Sequence, residues 1–341
     1  MSFVKLLKIP LPAVVMLAVI LLAACGAADR NGAPSGASPS PAATAGSGAS
    51  SSPAESKQQA TRIVIDDLKR EVTIPAAPKR IIAGEFASEL VALGVKPIGS
   101  GDNGFKVVFT KAQMAGVERI GDPPNAEKIL QLNPDLIVAS TVFLDIYKEQ
   151  MENIAKIAPV YYISFDQDPI RDIFPKVADL VGKQQEARDW IAAYDKEASA
   201  ARDKLKTTLG SETVSIFRVE KGRLRIYLNR NFAGYMLHSS LQVKPPEPVA
   251  AEIAKNKYGS AVAISLEQLP QFAGDHLFLI VRGEGADKAA FDEIQQSALW
   301  KSLPAVKNGK VHLLDTDNYY GSDVVTIRET MKEAVQMLTS K

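Results

Sequence analysis

The 341-residue chain has one cysteine, Cys25, and three histidines. A lone cysteine excludes an internal disulfide. His238, His276 and His312 fall in one helical and two strand contexts without ligand spacing. A carrier of bare zinc or manganese clusters histidine with carboxylates, so no metal site is expected. Surplus charge is also missing. The 40 basic and 39 acidic residues leave a net +1, which argues against a nucleic-acid partner. No P-loop, Gly-x-Ser-x-Gly or His-Glu-x-x-His motif occurs. Gly283-Glu284-Gly285 lacks the third glycine of a dinucleotide fingerprint. Nothing in the sequence supports an enzyme or a bound cofactor.

What is present begins with a leader over residues 1–24. Lys5 and Lys8 precede an apolar stretch from Ile9 to Ala24, broken only by Pro10 and Pro12. It is short of the ~20 apolar residues of a membrane span. Leu22-Ala23-Ala24-Cys25 resembles the bacterial lipobox, which implies that Cys25 carries lipid and becomes the mature N-terminus. The alternative is a leader cut near Ala24 with an incidental cysteine. Without Lys5 and Lys8, 38 basic residues face 39 acidic ones, a net −1. Any basic binding surface must then be local. Ala27 to Ala60 is rich in Ser, Ala, Gly and Pro and has too little apolar surface to offset the entropy of folding. Residues 25–60 read as a lipidated cysteine and flexible tether.

From residue 61 the pattern is α/β. Strands are expected at Arg62–Asp66, Glu71–Ile74, Arg80–Ala83, Lys96–Gly99, Leu136–Ala139 and Val160–Ile163, with helices at Phe86–Leu93 and Ala126–Leu132. A long helical stretch covers 170–209. A second α/β half follows, with strands at Thr213–Phe217, His276–Val281 and Lys310–Leu314, and helices at Phe232–Leu241, Phe291–Ser297 and Val325–Leu338. The expected architecture is two α/β lobes, 61–169 and 210–341, joined by an interlobe helix over 170–209, with a ligand cleft between them.

Three segments resemble the iron-siderophore substrate-binding proteins of ABC importers, the group with a rigid interlobe helix. They are Glu71–Ile82 with Leu93–Gly99, then Asn125–Ile137, then Trp300–Val311. A closer resemblance, to the subset for hydroxamate or citrate siderophores, rests on Phe217-Arg218-Val219, Arg225-Ile226-Tyr227 and Asn231-Phe232-Ala233-Gly234. The resemblance implies a small hinge motion, a ferric siderophore as ligand, and a permease and an ATPase as partners. It also implies a monomer anchored by lipid on the outer face of the cell membrane of a monoderm bacterium. Iron would arrive fully ligated, so the protein would need cations, donors and aromatic walls rather than metal ligands.

Arg223, Arg225 and Tyr227 alternate with Leu224, Ile226 and Leu228, which on a strand puts the polar set on one face. Arg225 and Tyr227 are candidate ligand contacts, while Arg223 sits near the Lys221-Gly222 turn and reads as solvated. Arg218 and Arg282 end apolar strands, where open sheets present ligand contacts. The alternatives are ion pairs with Glu220 and Glu284. Phe105 and Lys106, in a Gly-rich loop, are candidates from the first lobe. Tyr319 and Tyr320 stand where relatives often have a tryptophan, and either line the cleft or pack on the terminal helix. Glu89 resembles the acidic residue that docks onto permease arginines. Its counterpart in the second lobe is not evident, since Glu247 lies beyond the comparable helix. Haem or a corrinoid held by a tyrosine is the rival cargo, and a tethered sensor is the rival function.

Overall fold

The computed structural model describes residues 60–231, 233–281, 285–319 and 321–340. The expected leader, Cys25, the tether up to residue 59, Arg282 and Tyr320 lie outside the described residues.

The folded part opens with an antiparallel hairpin of β1 (Thr61–Ile65) and β2 (Glu71–Pro75). Its turn is built by Asp66, whose carboxylate accepts the amides of Leu68 and Arg70, both at 3.0 Å. The first lobe then adds β3 (Ile81–Ala83), β4 (Gly99–Ser100), β5 (Glu118–Arg119), β6 (Leu136–Ser140) and β7 (Val160–Ile163). These form a parallel sheet in the order β5-β4-β3-β6-β7. Its helices are α1 (Ala87–Ala92), α2 (Ala126–Leu132), α3 (Thr141–Ile146) and α4 (Lys148–Ile154). Asn125 caps α2 by accepting the Lys128 amide at 3.0 Å. The strand expected at Lys96–Gly99 is shifted to Gly99–Ser100, because Pro97 has no N–H for a ladder.

The stretch expected as one interlobe helix over 170–209 is three pieces. A π-helical turn covers Pro169–Ile173, α5 covers Phe174–Leu180, and α6 covers Gln184–Leu209. Gly182, at φ +68°, takes the left-handed conformation that ends α5. The second lobe holds β8 (Val214–Glu220), β9 (Arg223–Tyr227), β10 (Ala261–Ile264), β11 (His276–Val281) and β12 (Val311–Leu314), in the order β10-β9-β8-β11-β12. Here β8, β11 and β12 are parallel, while β9 runs antiparallel to both neighbours. Around this sheet lie α7 (Glu247–Lys255), α8 (Leu269–Phe272), α9 (Gly285–Gln296), α10 (Ala298–Ser302), α11 (Pro304–Lys307) and α12 (Val324–Thr339). The helix expected at Phe232–Leu241 is a π-helical turn at Tyr235–Ser240.

Alternation along the strands divides the interior into three cores. Ile82, Ile137, Ala139 and Val160 face α2–α4, and Phe217, Leu224, Ile226, Leu277 and Leu279 face outward in the second lobe. The opposite faces, carrying Ile81, Leu136 and Val138 from one sheet and Val214, Ile216, Phe278 and Ile280 from the other, join a single core. Phe174, Val177, Tyr194, Ala198, Ile327 and Met331 of α5, α6 and α12 complete it. Removing one such side chain, as in Phe174→Ala, costs about 3–5 kcal/mol. Because both lobes share this core, large rotation of one against the other would expose it.

Two histidines expected to be apart are neighbours. His276 and His312 lie on adjacent strands with ring nitrogens 3.1 Å apart, and His276 Nε2 is 2.9 Å from Glu212. No group of residues able to hold a metal ion is found among the described residues.

Candidate functional site

A cavity of about 340 Å³ opens between the lobes. From the first lobe, Glu85 and Phe86 enter it just past β3, followed by Glu89 on α1. One oxygen of Glu85 accepts the Ser140 amide at 3.2 Å, at the end of the adjacent strand β6. Its other oxygen is sealed from solvent without a hydrogen-bond partner among the described residues, and so is Glu89 Oε2. Phe86 packs on Phe165 at 5.3 Å between ring centres, giving the cavity an aromatic wall.

The second lobe contributes Asn229, Arg230 and Asn231 after β9, then Tyr235 and Tyr258. The chain turns sharply here because Gly234 lies against the Leu228 carbonyl. A Cβ at Gly234 would stand 2.2 Å from that oxygen, so only glycine fits. Asn229 is held by Ser239 (2.8 Å) and by the Lys257 carbonyl (3.0 Å). Arg230 reaches across to Asp166 at 3.1 Å. The Tyr235 hydroxyl donates to Asp168 at 2.7 Å.

The far end of the chain supplies Gly321, Ser322 and Asp323. Asp323 caps α12, accepting the amides of Val325 (3.1 Å) and Thr326 (3.0 Å) and the Thr326 hydroxyl (2.7 Å). Its charge stands beside Glu89. Burial first, then the Asp323 charge, pushes the Glu89 carboxyl up to about 8. Burial likewise raises Glu85 to about 7, and burial raises Asp323. Among the described residues, three carboxyl groups thus line the cavity against one guanidinium, that of Arg230.

The candidates read from the sequence divide. Arg218, Arg225 and Tyr227 do come together, because Arg218 and Arg225 are paired across β8 and β9 and share the face opposite Leu224 and Ile226. Arg218 is not at a strand end, since β8 continues to Glu220. It bonds the Tyr227 hydroxyl at 2.9 Å and pairs with Glu220 at 3.0 Å, the alternative held open for it. Arg225 meets the same Glu220 at 3.3 Å. None of these three lines the cavity. Phe105 is half-buried beneath the Arg119 guanidinium, 4.0 Å from its ring centre. Lys106 is exposed and bonds Asn103 at 3.0 Å, and Asn103 itself lines the cavity. Tyr319 is 1% exposed and belongs to the shared core, so it packs on the terminal helix and is not a cleft wall.

Glu89 requires a correction. It is 3% exposed and turned into the cleft, where a permease cannot reach it. Its surroundings come from α12, which the local pattern of α1 does not disclose. Glu85, Asn229, Arg230, Tyr235 and Asp323 were not nominated from sequence. Asp323 carried a signal, as an aspartate just before an apolar helical run.

These features place the chain among known proteins. The family described as periplasmic binding protein matches residues 83–318. The iron(3+)-hydroxamate-binding protein YxeB of Bacillus subtilis is 29% identical over 277 residues, covering 80% of this chain and 84% of that protein. The iron(3+)-hydroxamate-binding protein FhuD of the same organism is 30% identical, covering 79% and 84%. Among solved structures, a FhuD fold-family protein of Bacillus subtilis superposes with a TM-score of 0.71 at 29% identity, over 81% of this chain and 99% of that one. It is described as a periplasmic binding protein component of a Fep/Fec-like ferrichrome ABC transporter. With two α/β lobes around a cleft and this match over most of its length, the chain belongs to the periplasmic binding protein family.

Proposed function

We propose that this protein captures a ferric siderophore outside the cell and delivers it to an ABC importer, acting by binding and not by catalysis. The observation that carries the reading is the interlobe cavity, walled by Phe86 and Phe165 and supplied with donors by Asn231, Arg230 and Tyr258. Support comes from relatives named for iron(3+)-hydroxamate binding. Iron enters as cargo already ligated, so the protein needs no metal ligands or resident cofactor. The ligand's oxygens face Arg230 and the Tyr258 hydroxyl, and its carbon skeleton lies on the aromatic wall. The protein works as a monomer held to the outer face of the membrane through Cys25.

Docking onto the permease falls to exposed carboxylates instead of Glu89. A partner that straddles the cleft must touch both lobes, which points to matching places. In each lobe a short helix leads into the strand beside the first strand of the five-stranded sheet, α2 into β6 beside β3 and α8 into β11 beside β8. Exposed Glu127 stands in the first turn of α2, and exposed Glu267 just before α8. We assign these two as the docking pair.

The test is native mass spectrometry of the purified protein with ferrichrome, ferrioxamine B, ferric citrate and haem. Saturable one-to-one binding of a ferric hydroxamate is the expected result. Binding of haem alone, or of none of the four, would overturn the reading.

A further inference from the structure

A second cavity, also of about 340 Å³, lies beside the end of α6 and shares no lining residue with the cleft. It is walled by the last two turns of α6, by Gly210 and Glu212 on the way into β8, and by residues 241–244 after the π-helical turn. Its apolar lining is the buried set Leu205, Leu209, Leu241 and Val243. Three cations line it too. Arg202 and Lys206 are four apart and so share one face of α6, and Lys244 comes from the second segment. Arg202 donates to the Ser240 carbonyl at 2.8 Å, which fixes the guanidinium and leaves it donors to spare. Lys206 and Lys244 have no side-chain partner among the described residues. The two acids in the lining do not cancel this charge. Glu212 gives one oxygen to Lys310 and the other to His276, 2.9 Å away, so its charge is already answered. Asp203 is exposed and pairs with none of the three cations among the described residues. A surplus of positive charge therefore remains beside an apolar lining.

We infer that this cavity is a second binding site and takes a phosphate monoester. At neutral pH a monoester carries about two negative charges and presents three acceptor oxygens, which suits three cations. A carboxylate brings one charge and two oxygens and leaves a cation unmatched. The arginine fork meets phosphate oxygens in pairs, and the lysines act as point charges beside it. The carbon part of the ester lies on the leucines and Val243. Two sources share this chemistry, a free phosphate ester and the headgroup of a phosphatidic acid. The site is independent of the cleft, so it fills with or without a siderophore.

The test titrates the purified protein with glycerol 3-phosphate, and separately with acetate, while amide chemical shifts are followed. A second arm sediments the protein with phosphatidylcholine vesicles, with and without phosphatidic acid. Saturable shifts around Gly210 and Gln242 with glycerol 3-phosphate, stronger than with acetate, are the expected result for a free ester. Co-sedimentation only with phosphatidic acid, without a response to the free ester, supports the site and assigns the lipid headgroup. The double variant Lys206→Gln with Lys244→Gln, both exposed positions, should weaken either response about tenfold or more. The same variant should bind a ferric hydroxamate as the wild type does. No response in either arm would overturn the inference. So would a response that acetate matches or that the double variant retains.

Discussion

Tyr235, in the second lobe, donates its hydroxyl to Asp168 at the start of the interlobe segment, 2.7 Å away. The same Asp168 oxygen caps the π-helical turn, accepting the amides of Ile170 (2.9 Å) and Arg171 (2.8 Å). Burial and the Asp168 carboxylate push the Tyr235 hydroxyl far above its ordinary value, so it stays a donor. One carboxylate thereby fixes both the turn and the angle at which the second lobe meets it.

Replacing Tyr235 by Phe removes that bond and keeps the ring. Loss of a hydrogen bond to a charged acceptor is worth about 1.5–3 kcal/mol. The melting temperature of Tyr235→Phe should fall by several degrees. Ligand affinity should fall too, since Tyr235 lines the cleft. Circular dichroism melts and calorimetry check the two effects.

The acidic cleft predicts an unusual pH dependence for the unliganded protein. Glu89 titrates near 8 and Glu85 near 7 when folded, against about 4.5 when unfolded. Between those values the folded state binds more protons than the unfolded one, so stability falls as pH rises. The slope approaches about 1.4 kcal/mol per pH unit for each group. His238 acts oppositely at the acid end. Burial depresses it to about 4, so its contribution is lost as pH drops below its ordinary 6.5. Denaturant melts between pH 6.5 and 8.5 should therefore show falling stability, and Glu89→Gln should flatten the trend. A wild-type profile flat across that range would refute the assignment.

Arg230 is the only cation lining the cleft among the described residues. Arg230→Ala should weaken binding of a ferric hydroxamate by about tenfold or more, through loss of charged hydrogen bonds to its oxygens. The fold should survive, because among the described residues Arg230 reaches only the exposed Asp166. Titration beside a melting curve separates the two effects.

If Glu127 and Glu267 dock the permease, the double substitution to Ala leaves ligand affinity and melting temperature unchanged. Uptake of iron-55 hydroxamate by cells that depend on this protein should drop about tenfold or more. Normal uptake in the double variant would refute the docking assignment.

Alternation along strands was legible from sequence. Arg225 and Tyr227 do oppose Leu224 and Ile226, and both lobes have the α/β order expected. What could not be read is which sheet face meets the cleft and what covers each helix. Arg218 looked like a strand end because the apolar run stops at Phe217, yet the ladder with β9 carries β8 on to Glu220. Glu89 looked like a residue for docking the permease because its neighbour Asp323 arrives from the far end of the chain. The cleft is made of such long-range pairs, which leave no local period.

The core shared by the two lobes has a consequence for delivery. A protein whose halves are welded through α5, α6 and α12 presents nearly the same outline with and without cargo. A transporter cannot then sort full carriers from vacant ones by silhouette. Vacant carriers occupy the same berth, and uptake depends on the fraction loaded as much as on the number of carriers.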